Sequence, residues 1–396
     1  MTGTPRRWLV VALAVTGLSM RTAVTSVGAA LGDIERGLHT NSGVAGLITT
    51  LPPLCFAVLG ALAPRWSARI GPHRLLVVAL LAMTAGLASR ALVGSIWTFL
   101  LLSVLGLAGG AVANVLMPSL VKTHFPDRIG PMTALYTTMM AIGTTAGAGL
   151  TVPIGALGGG PDGGWRLGIG SWAVLSALAV VPWLATLRAD ESGSAAQTRL
   201  PISAVVHSPT AWFVTLFFAF QSVQAYIAFG WFERFLTAHA ISASTAGWMV
   251  ALLSAISIPA SMIAPTVPMR YHRPLLVCLA ACYAIAYAGL TIAPDRAWVW
   301  MVFAGAGGGM FPFSLTLIGY RTGRPETTAT LSAFAQSFGY VIAACGPFLF
   351  GTLHQVTGGW AAPFAVLWFA LAAALISGWF ACRRRTVEDD LALSVP

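Results

Sequence analysis

Charge is what this sequence has least of. Of 396 residues only 9% are Asp, Glu, Lys or Arg, against about 25% in an ordinary soluble domain, while 57% are hydrophobic against about 45–50%. A water-soluble protein is excluded. Acidic residues are the scarcer sign, twelve in all against 22 basic ones. There are no paired carboxylates, no His cluster with metal-ligand spacing and no nucleophile set, so the chain is read as no enzyme, with no metal and no cofactor. Cys55, Cys278, Cys282, Cys345 and Cys382 are odd in number and sit in or at the edges of apolar runs, which argues against a disulfide framework. Cys278 and Cys282 lie one helical turn apart without a His or carboxylate beside them, and read as small apolar filler.

Apolar runs are what the chain has in abundance. Helices are expected near 8–31, 42–63, 75–95, 97–121, 130–156, 166–187, 209–232, 242–267, 274–293, 297–319, 328–352 and 360–382. Twelve spans of about 20 residues use roughly 240 positions and leave no room for a separate soluble domain. The expected fold is therefore an all-α integral membrane protein with twelve transmembrane helices, and any binding happens within the bilayer or at its faces. A net charge of +10 raises the question of nucleic acid, but the basic residues are scattered in twos and threes between apolar runs and form no basic face. Their placement sets orientation. One side collects sixteen: Arg6, Arg7, Arg65, Arg69, Arg74, Lys122, Arg128, Arg188, Arg199, Arg270, Arg273, Arg321, Arg324 and Arg383 to Arg385. The other has five, Arg36, Arg90, Arg166, Arg234 and Arg296. This bias puts both termini in the cytoplasm of a multi-pass protein of the bacterial cytoplasmic membrane. The first span is too long, and too charged at its middle, for a cleaved signal peptide.

The chain also repeats itself. At an offset of 199 residues Gly106 and Gly110 fall on Gly305 and Gly309; Lys122, Pro126 and Asp127 on Arg321, Pro325 and Glu326; Gly147 on Gly346. Helices four and five thus resemble helices ten and eleven. The longest polar run, around 188–208, reads as a cytoplasmic linker between a six-helix bundle at 1–187 and a second at 209–396. Two pseudo-symmetric six-helix bundles with both termini inside resemble the plan of the major facilitator superfamily, which implies a solute site near the midplane and alternating access by rocking of the halves. Glycines recur at four-residue spacing: Gly28 and Gly32, Gly106 and Gly110, Gly143 and Gly147, Gly305 and Gly309. They permit close helix contact in lipid, whether static or sliding. The Gly158-Gly-Gly-Pro-Asp-Gly-Gly-Trp run has no Gly-Lys-Ser/Thr ending and reads as an external turn.

No Asp or Glu falls in the middle third of any expected span, but one Arg does. Arg21 follows Trp8 by thirteen residues, about 20 Å along the helix. An Arg at the bilayer centre costs about 2.5–3.5 kcal/mol on insertion scales, so it faces protein or water. Its permanent charge and planar fork suit a carboxylate or another small anion. Two readings stand: Arg21 lines a cavity and meets an anionic or strongly polar solute, or carbonyls and hydroxyls satisfy it and it fixes packing. Thr25, one turn on, serves either. The offset carries Thr22 and Thr25 to Gln221 and Gln224, which present amides at a similar depth in helix seven, for a solute or for helix packing. Asn114, Tyr136, Gln336 and Tyr340 are further solute-contact candidates. Arg90, toward the end of helix three, is read as snorkelling to the surface. Glu233 and Arg234, among Trp231, Phe232 and Phe235, read as interfacial anchors. Asp127 and Glu326, at matching positions before helices five and eleven, favour the helix N-termini; a second reading makes them part of a cytoplasmic gate with Arg128, Arg321 or Arg324.

The residues also resemble the cyanate and 2-nitroimidazole permease branch of that superfamily. Arg21 with Thr25-Ser26-Val27-Gly28 is similar to its first helix; Leu47, Thr49, Leu51 and Pro52 to its second; Asn114, Pro118 and Lys122 to its fourth; Gln336, Ser337, Gly339, Tyr340, Gly346 and Pro347 to its eleventh; and His354, Gly358 and Trp360 to the connection that follows. The resemblance implies a carrier of cyanate, nitroimidazoles or other small polar solutes. The loop between helices two and three keeps Arg69, Gly71 and Arg74 of the superfamily's pattern, which makes Arg69 and Arg74 gate candidates, but has Pro64 and Ala68 in the Gly and Asp places. The drug-antiporter motif of helix five is incomplete, since Ala148 and not Pro follows Gly147. The first expectation is a carrier of a small anionic or polar organic solute, functional as a monomer in the lipid bilayer and without nucleic acid. A proton-coupled multidrug exporter is the alternative, and a membrane receptor or structural protein predicts no flux at all.

Overall fold

In the computed structural model, residues 6–39, 42–158, 164–187 and 201–392 are described, with the backbone alone at 6, 42–50, 243 and 244. Residues 159–163 of the turn expected at 158–165 and most of the linker lie outside them, while Gly164 and Trp165 already belong to a helix; the linker's end holds the short helix Ile202–Val205. No strand occurs among the described residues. Lipid offers backbone groups no hydrogen bonds, so a spanning segment must satisfy them internally, and helix is the local solution.

Twelve long helical segments follow in order: α1 Arg7–Ala29, α2 Ser42–Ile70, α3 Pro72–Arg90, α4 Ile96–His124, α5 Ile129–Ala156, α6 Gly164–Leu184, α7 Pro209–Ala238, α8 Ala243–Ile263, α9 His272–Ile292, α10 Pro294–Tyr320, α11 Pro325–Thr357 and α12 Ala361–Ala381. Among the described residues, eleven segments are long and apolar enough to cross a membrane; α2, with 29 residues, completes the set of twelve. Several helices outrun their apolar stretch, α2 to Ile70 and α11 to Thr357. Hydropathy marks the hydrocarbon, whereas intrahelical hydrogen bonds continue through the polar interface. Their stops are chemical. Gly71 joins α2 to α3 at φ 87°, and Gly358 closes α11 at φ 66°, both left-handed positions that favour glycine. Ser208 caps α7 by accepting from the Ala211 N–H at 3.2 Å, with Pro209 in the first turn.

Three spans are broken among the described residues; in α6 the helices Gly164–Gly170 and Trp172–Leu184 meet at Ser171. In α10 the helices Ala297–Gly307 and Met310–Tyr320 meet at Gly308–Gly309. Pro312 lacks the N–H that would bond the Gly308 carbonyl, and its ring crowds that oxygen. In α1 the helices Arg6–Ser19 and Thr22–Ala29 meet at Met20–Arg21, with no proline or glycine at the joint. Hydroxyls account for this break. Ser19 donates to the Thr16 carbonyl (2.9 Å), Thr22 to Ser19 (2.8 Å), Thr25 to Arg21 (3.1 Å) and Ser26 to Thr22 (2.6 Å). Side chains that bond back to carbonyls compete with the helical ladder and bend it.

The chain divides into two compact units, Met1–Pro126 with Leu135–Arg199, and Asp127–Ala134 with Leu200–Pro396. In the first, α3 and α4 cross at Gly86 and Gly106, and α5 lies so close to α1 that a β-carbon at Gly143 would collide with the Leu18 carbonyl. Of the spaced glycine pairs, Gly28 and Gly32 meet nothing within 4 Å, so they serve no packing among the described residues. Trp183 donates to Thr16 Oγ1 at 2.7 Å, Trp172 to Thr151 Oγ1 at 2.9 Å, and His73 and His124 share a 2.7 Å hydrogen bond between α3 and α4. The second unit is built around α7, whose Phe217 and Phe218 pack on Phe313 and Tyr340 at 5.8 and 5.1 Å between ring centroids. After α12 the chain turns back in a short helix, α13 (Val387–Asp390), capped by Thr386.

Candidate functional site

The first unit gathers its polar side chains around the break in α1. Arg21 sits at the joint, half-buried, its guanidinium carbon 5.5 Å from the centroid of the Phe56 ring. Phe56 lies one turn past Pro52 and Pro53 of α2. Gly110 of α4 faces the same spot: a β-carbon there would stand 3.3 Å from the Met20 carbonyl and 3.9 Å from Phe56. Asn114, one turn further along α4, is buried. The carbonyl of Tyr136, whose side chain is also buried, lies against Gly17 one turn before Arg21. Thr25 is half-buried against Gly147 of α5 while its hydroxyl donates to the Arg21 carbonyl. Break, arginine and aromatic ring thus meet where α1, α2 and α4 converge, with Asn114 buried one turn along α4.

Arg90 corrects its sequence reading. It does not snorkel: only 1% of it is exposed, and it reaches inward to α1, donating from Nη1 to the Ala23 carbonyl (3.0 Å) and from Nη2 to Ser26 Oγ (3.2 Å). Its Nε has no hydrogen-bond partner among the described residues. Two arginines therefore serve one short stretch of α1, Arg21 at its start and Arg90 across from its second turn. The described carboxylates of this unit, Asp33 and Glu35, lie beyond the end of α1, and Asp33 pairs with Arg36.

In the second unit Gln221 donates to the Phe218 carbonyl (3.0 Å) and to Ser222 Oγ (2.7 Å). Gln224 donates to the Phe220 carbonyl (3.2 Å) and accepts from the Tyr287 hydroxyl (3.0 Å). Both amides are buried, and each spends its N–H on its own helix. Gln336 is buried and donates to Ser332 Oγ at 2.8 Å. Tyr340 stands edge-on to Phe218 and 6.3 Å from Tyr226, whose hydroxyl is buried without a partner among the described residues. Tyr226 and Tyr287 are the members that sequence reading missed; with only seven tyrosines in the chain, their fall inside spans was the available signal.

The gate candidates are dispersed. Arg69 lines an apolar cavity of about 270 Å³ in the first unit with Trp66, Leu75, Val78 and Val112, and Arg74 is exposed in the first turn of α3. Asp127 is exposed in the turn Pro126–Arg128, and Glu326 stands in the first turn of α11. Arg321, in contrast, is 1% exposed and turns to the C-terminal tail, donating to the Cys382 carbonyl at 3.5 Å. Arg234 lies over Trp231 at 5.5 Å, as an interfacial anchor does. Among the described residues no three His, Cys, Asp or Glu side chains converge as metal ligands would.

These features match a known family. The model described as Major Facilitator Superfamily matches residues 9–264. Relatives include the "Uncharacterized transporter YycB" of Bacillus subtilis (strain 168), 34% identical and covering 96% of this chain and 94% of its own length. The 2-nitroimidazole transporter of Escherichia coli (strain K12) is 31% identical over 98% of each chain, and the cyanate transport protein CynX of the same organism 26% identical over 89% of this chain and 91% of that one. Among solved structures, the proton:xylose symporter XylE superposes with a TM-score of 0.77 at 14% identity, covering 98% of each chain, which speaks for the fold. The chain belongs to the major facilitator superfamily of membrane transporters, and within it resembles the branch of the 2-nitroimidazole and cyanate transporters.

Proposed function

We infer that the protein is a secondary or facilitative carrier of a small anionic or polar organic solute of the cyanate or nitroimidazole kind, working by alternating access. One observation carries the reading: a permanently charged guanidinium at the broken midpoint of α1, beside the Phe56 ring, in a span with no acidic residue. A cation kept at that depth costs a few kcal/mol, and an anionic solute offsets the cost. In this reading Arg21 recognises the solute's charge, and Thr25, Asn114, Tyr136, Gln221, Gln224, Gln336 and Tyr340 supply polar contacts. Arg69, Arg74, Asp127 and Glu326 act in opening and closing. The protein works as a monomer in the bacterial cytoplasmic membrane with both termini inside, as the sixteen-to-five bias of Lys and Arg supports.

The test is uptake by purified protein in liposomes, with a panel of small anions and neutral heterocycles and a record of internal pH. Arg21→Ala is expected to abolish or strongly weaken flux at normal folded yield; full flux in that variant sinks the reading. Export of lipophilic drugs has the aromatic group Phe218, Tyr226 and Tyr340 on its side. Flux of lipophilic cations without any anion flux would select it instead.

A further inference from the structure

Where α12 ends, four arginines line one cavity. It has a volume of about 390 Å³ and is bounded by Met269, Arg270, Arg273, Cys382, Arg383 and Arg384, between the start of α9 and the end of α12. Three of the four are held over aromatic rings: Arg270 over Tyr271 (4.7 Å), Arg273 over Trp379 (4.7 Å) and Arg383 over Phe380 (4.4 Å). A fifth guanidinium, Arg321, is buried directly behind Cys382, its Nε without a partner among the described residues; the same holds for the buried Nε of Arg273.

Carboxylates stand close in sequence and are all turned elsewhere. Asp390 pairs with Arg385 at 2.5 Å and accepts from the Ser208 hydroxyl (2.6 Å) and the Thr210 N–H (2.8 Å) at the start of α7. Asp389 accepts from the Thr386 N–H, and Glu388 from the Arg324 N–H at 3.2 Å. None of the three lines the cavity. The tail is thus pinned by its acids, which occupy Arg385, while Arg383 and Arg384 at the cavity face no carboxylate among the described residues. The neighbouring surface is that of a membrane interface: Tyr271 and Trp379 are partly exposed, and apolar Val277 and Ile376 are exposed further along α9 and α12.

We propose that this cavity binds the phosphate headgroup of an anionic glycerophospholipid, whose acyl chains run along the exposed faces of α9 and α12. Planar guanidinium forks match phosphate oxygens in pairs, and basic pockets between spanning helices take anionic headgroups. Four cations without a carboxylate favour a headgroup with more than one negative charge. The exposed apolar flank, which a free phosphate does not use, selects lipid over a soluble anion.

The full chain in phosphatidylcholine nanodiscs, titrated with cardiolipin or phosphatidylglycerol, provides the test, with lipid retention read by native mass spectrometry. The double variant Arg270→Gln/Arg384→Gln removes two exposed side chains, and is expected to weaken retention about thirtyfold. Arg296→Gln, at an exposed pair with Asp295, is the control and leaves retention unchanged. Should the double variant fold poorly, Arg384→Gln alone is expected to weaken retention severalfold. Equal retention in the wild type and in the folded variant overturns the proposal. So does equal protection from melting by inorganic phosphate or glycerol phosphate, since the site then reads a soluble anion and not a lipid.

Discussion

Replacing Arg90 with Met separates positioning from stability. The native guanidinium donates two bonds to α1, at 3.0 and 3.2 Å. Hydrogen bonds from a charged group contribute about 1.5–3 kcal/mol each, so about 3–6 kcal/mol is lost. Against this, Arg90 is 1% exposed, and Met removes a buried charge whose desolvation costs several kcal/mol. Met has similar length and adapts to its surroundings. Global stability is therefore expected to stay within about 2 kcal/mol of the wild type. The local effect does not cancel, because the lost bonds all anchor the segment just after the break. In detergent, the amides of Val24 and Thr25, which bond back to the Arg21 carbonyl, are expected to exchange with deuterium at least tenfold faster in Arg90→Met, while amides in the core of α4 keep their rates. Unchanged exchange at Val24 and Thr25 would refute the positioning role. A collapse in melting temperature would refute the balance of terms.

Gly143→Ala puts a methyl group into the Leu18 carbonyl and is expected to lower stability by about 1–3 kcal/mol in a melting assay, whereas Gly28→Ala, with open space around it, is expected to change little. Tyr287→Phe strips the donor from the Gln224 carbonyl and leaves a buried acceptor unpaired, an expected loss of about 1–3 kcal/mol by the same assay. At the tail, burial opposes the charge of Asp390, but Ser208, Thr210 and Arg385 together outweigh it and hold the carboxyl below its usual range. A carboxylate with a lowered folded pKa stabilises above its unfolded value of about 3.9 and loses that contribution as pH falls through the folded one. Limited proteolysis after Arg383 is therefore expected to stay slow at pH 7 and 5 and to accelerate near pH 3; Asp390→Asn is expected to be cut faster already at pH 7.

The spans were legible because lipid imposes one rule on every spanning segment, and apolar length reports it. Their ends were less so. Ile70 and Thr357 are helical beyond the apolar run, since leaving the hydrocarbon does not stop a helix; Gly71 and Gly358 do. The repeat at 199 residues matched two helices in each half, yet Asp127–Ala134 groups with Leu200–Pro396. Grouping of that kind is decided by contacts such as Gly130 against the Pro265 carbonyl, which no self-comparison contains.

Arg21 and Arg90 show where the reading of the site divided. Both are cations within apolar runs, and hydropathy assigns each a depth. Depth marked Arg21 as a residue to be kept from lipid, and it stands half-buried beside the Phe56 ring. It misled at Arg90, because a position near a helix end permits a long side chain to go either outward to water or inward to a neighbour. The choice depends on what the neighbour offers. Here α1 offers the Ala23 carbonyl and the Ser26 hydroxyl, on a stretch that Ser19, Thr22, Thr25 and Ser26 have already bent out of the regular ladder. A hydroxyl every third or fourth residue in an apolar helix is readable from sequence as a weak point. A buried cation with no acid nearby in the chain then has a reason to turn inward. The same pairing gives Arg21 its setting, since the bend that leaves it at a joint is the bend that Arg90 holds.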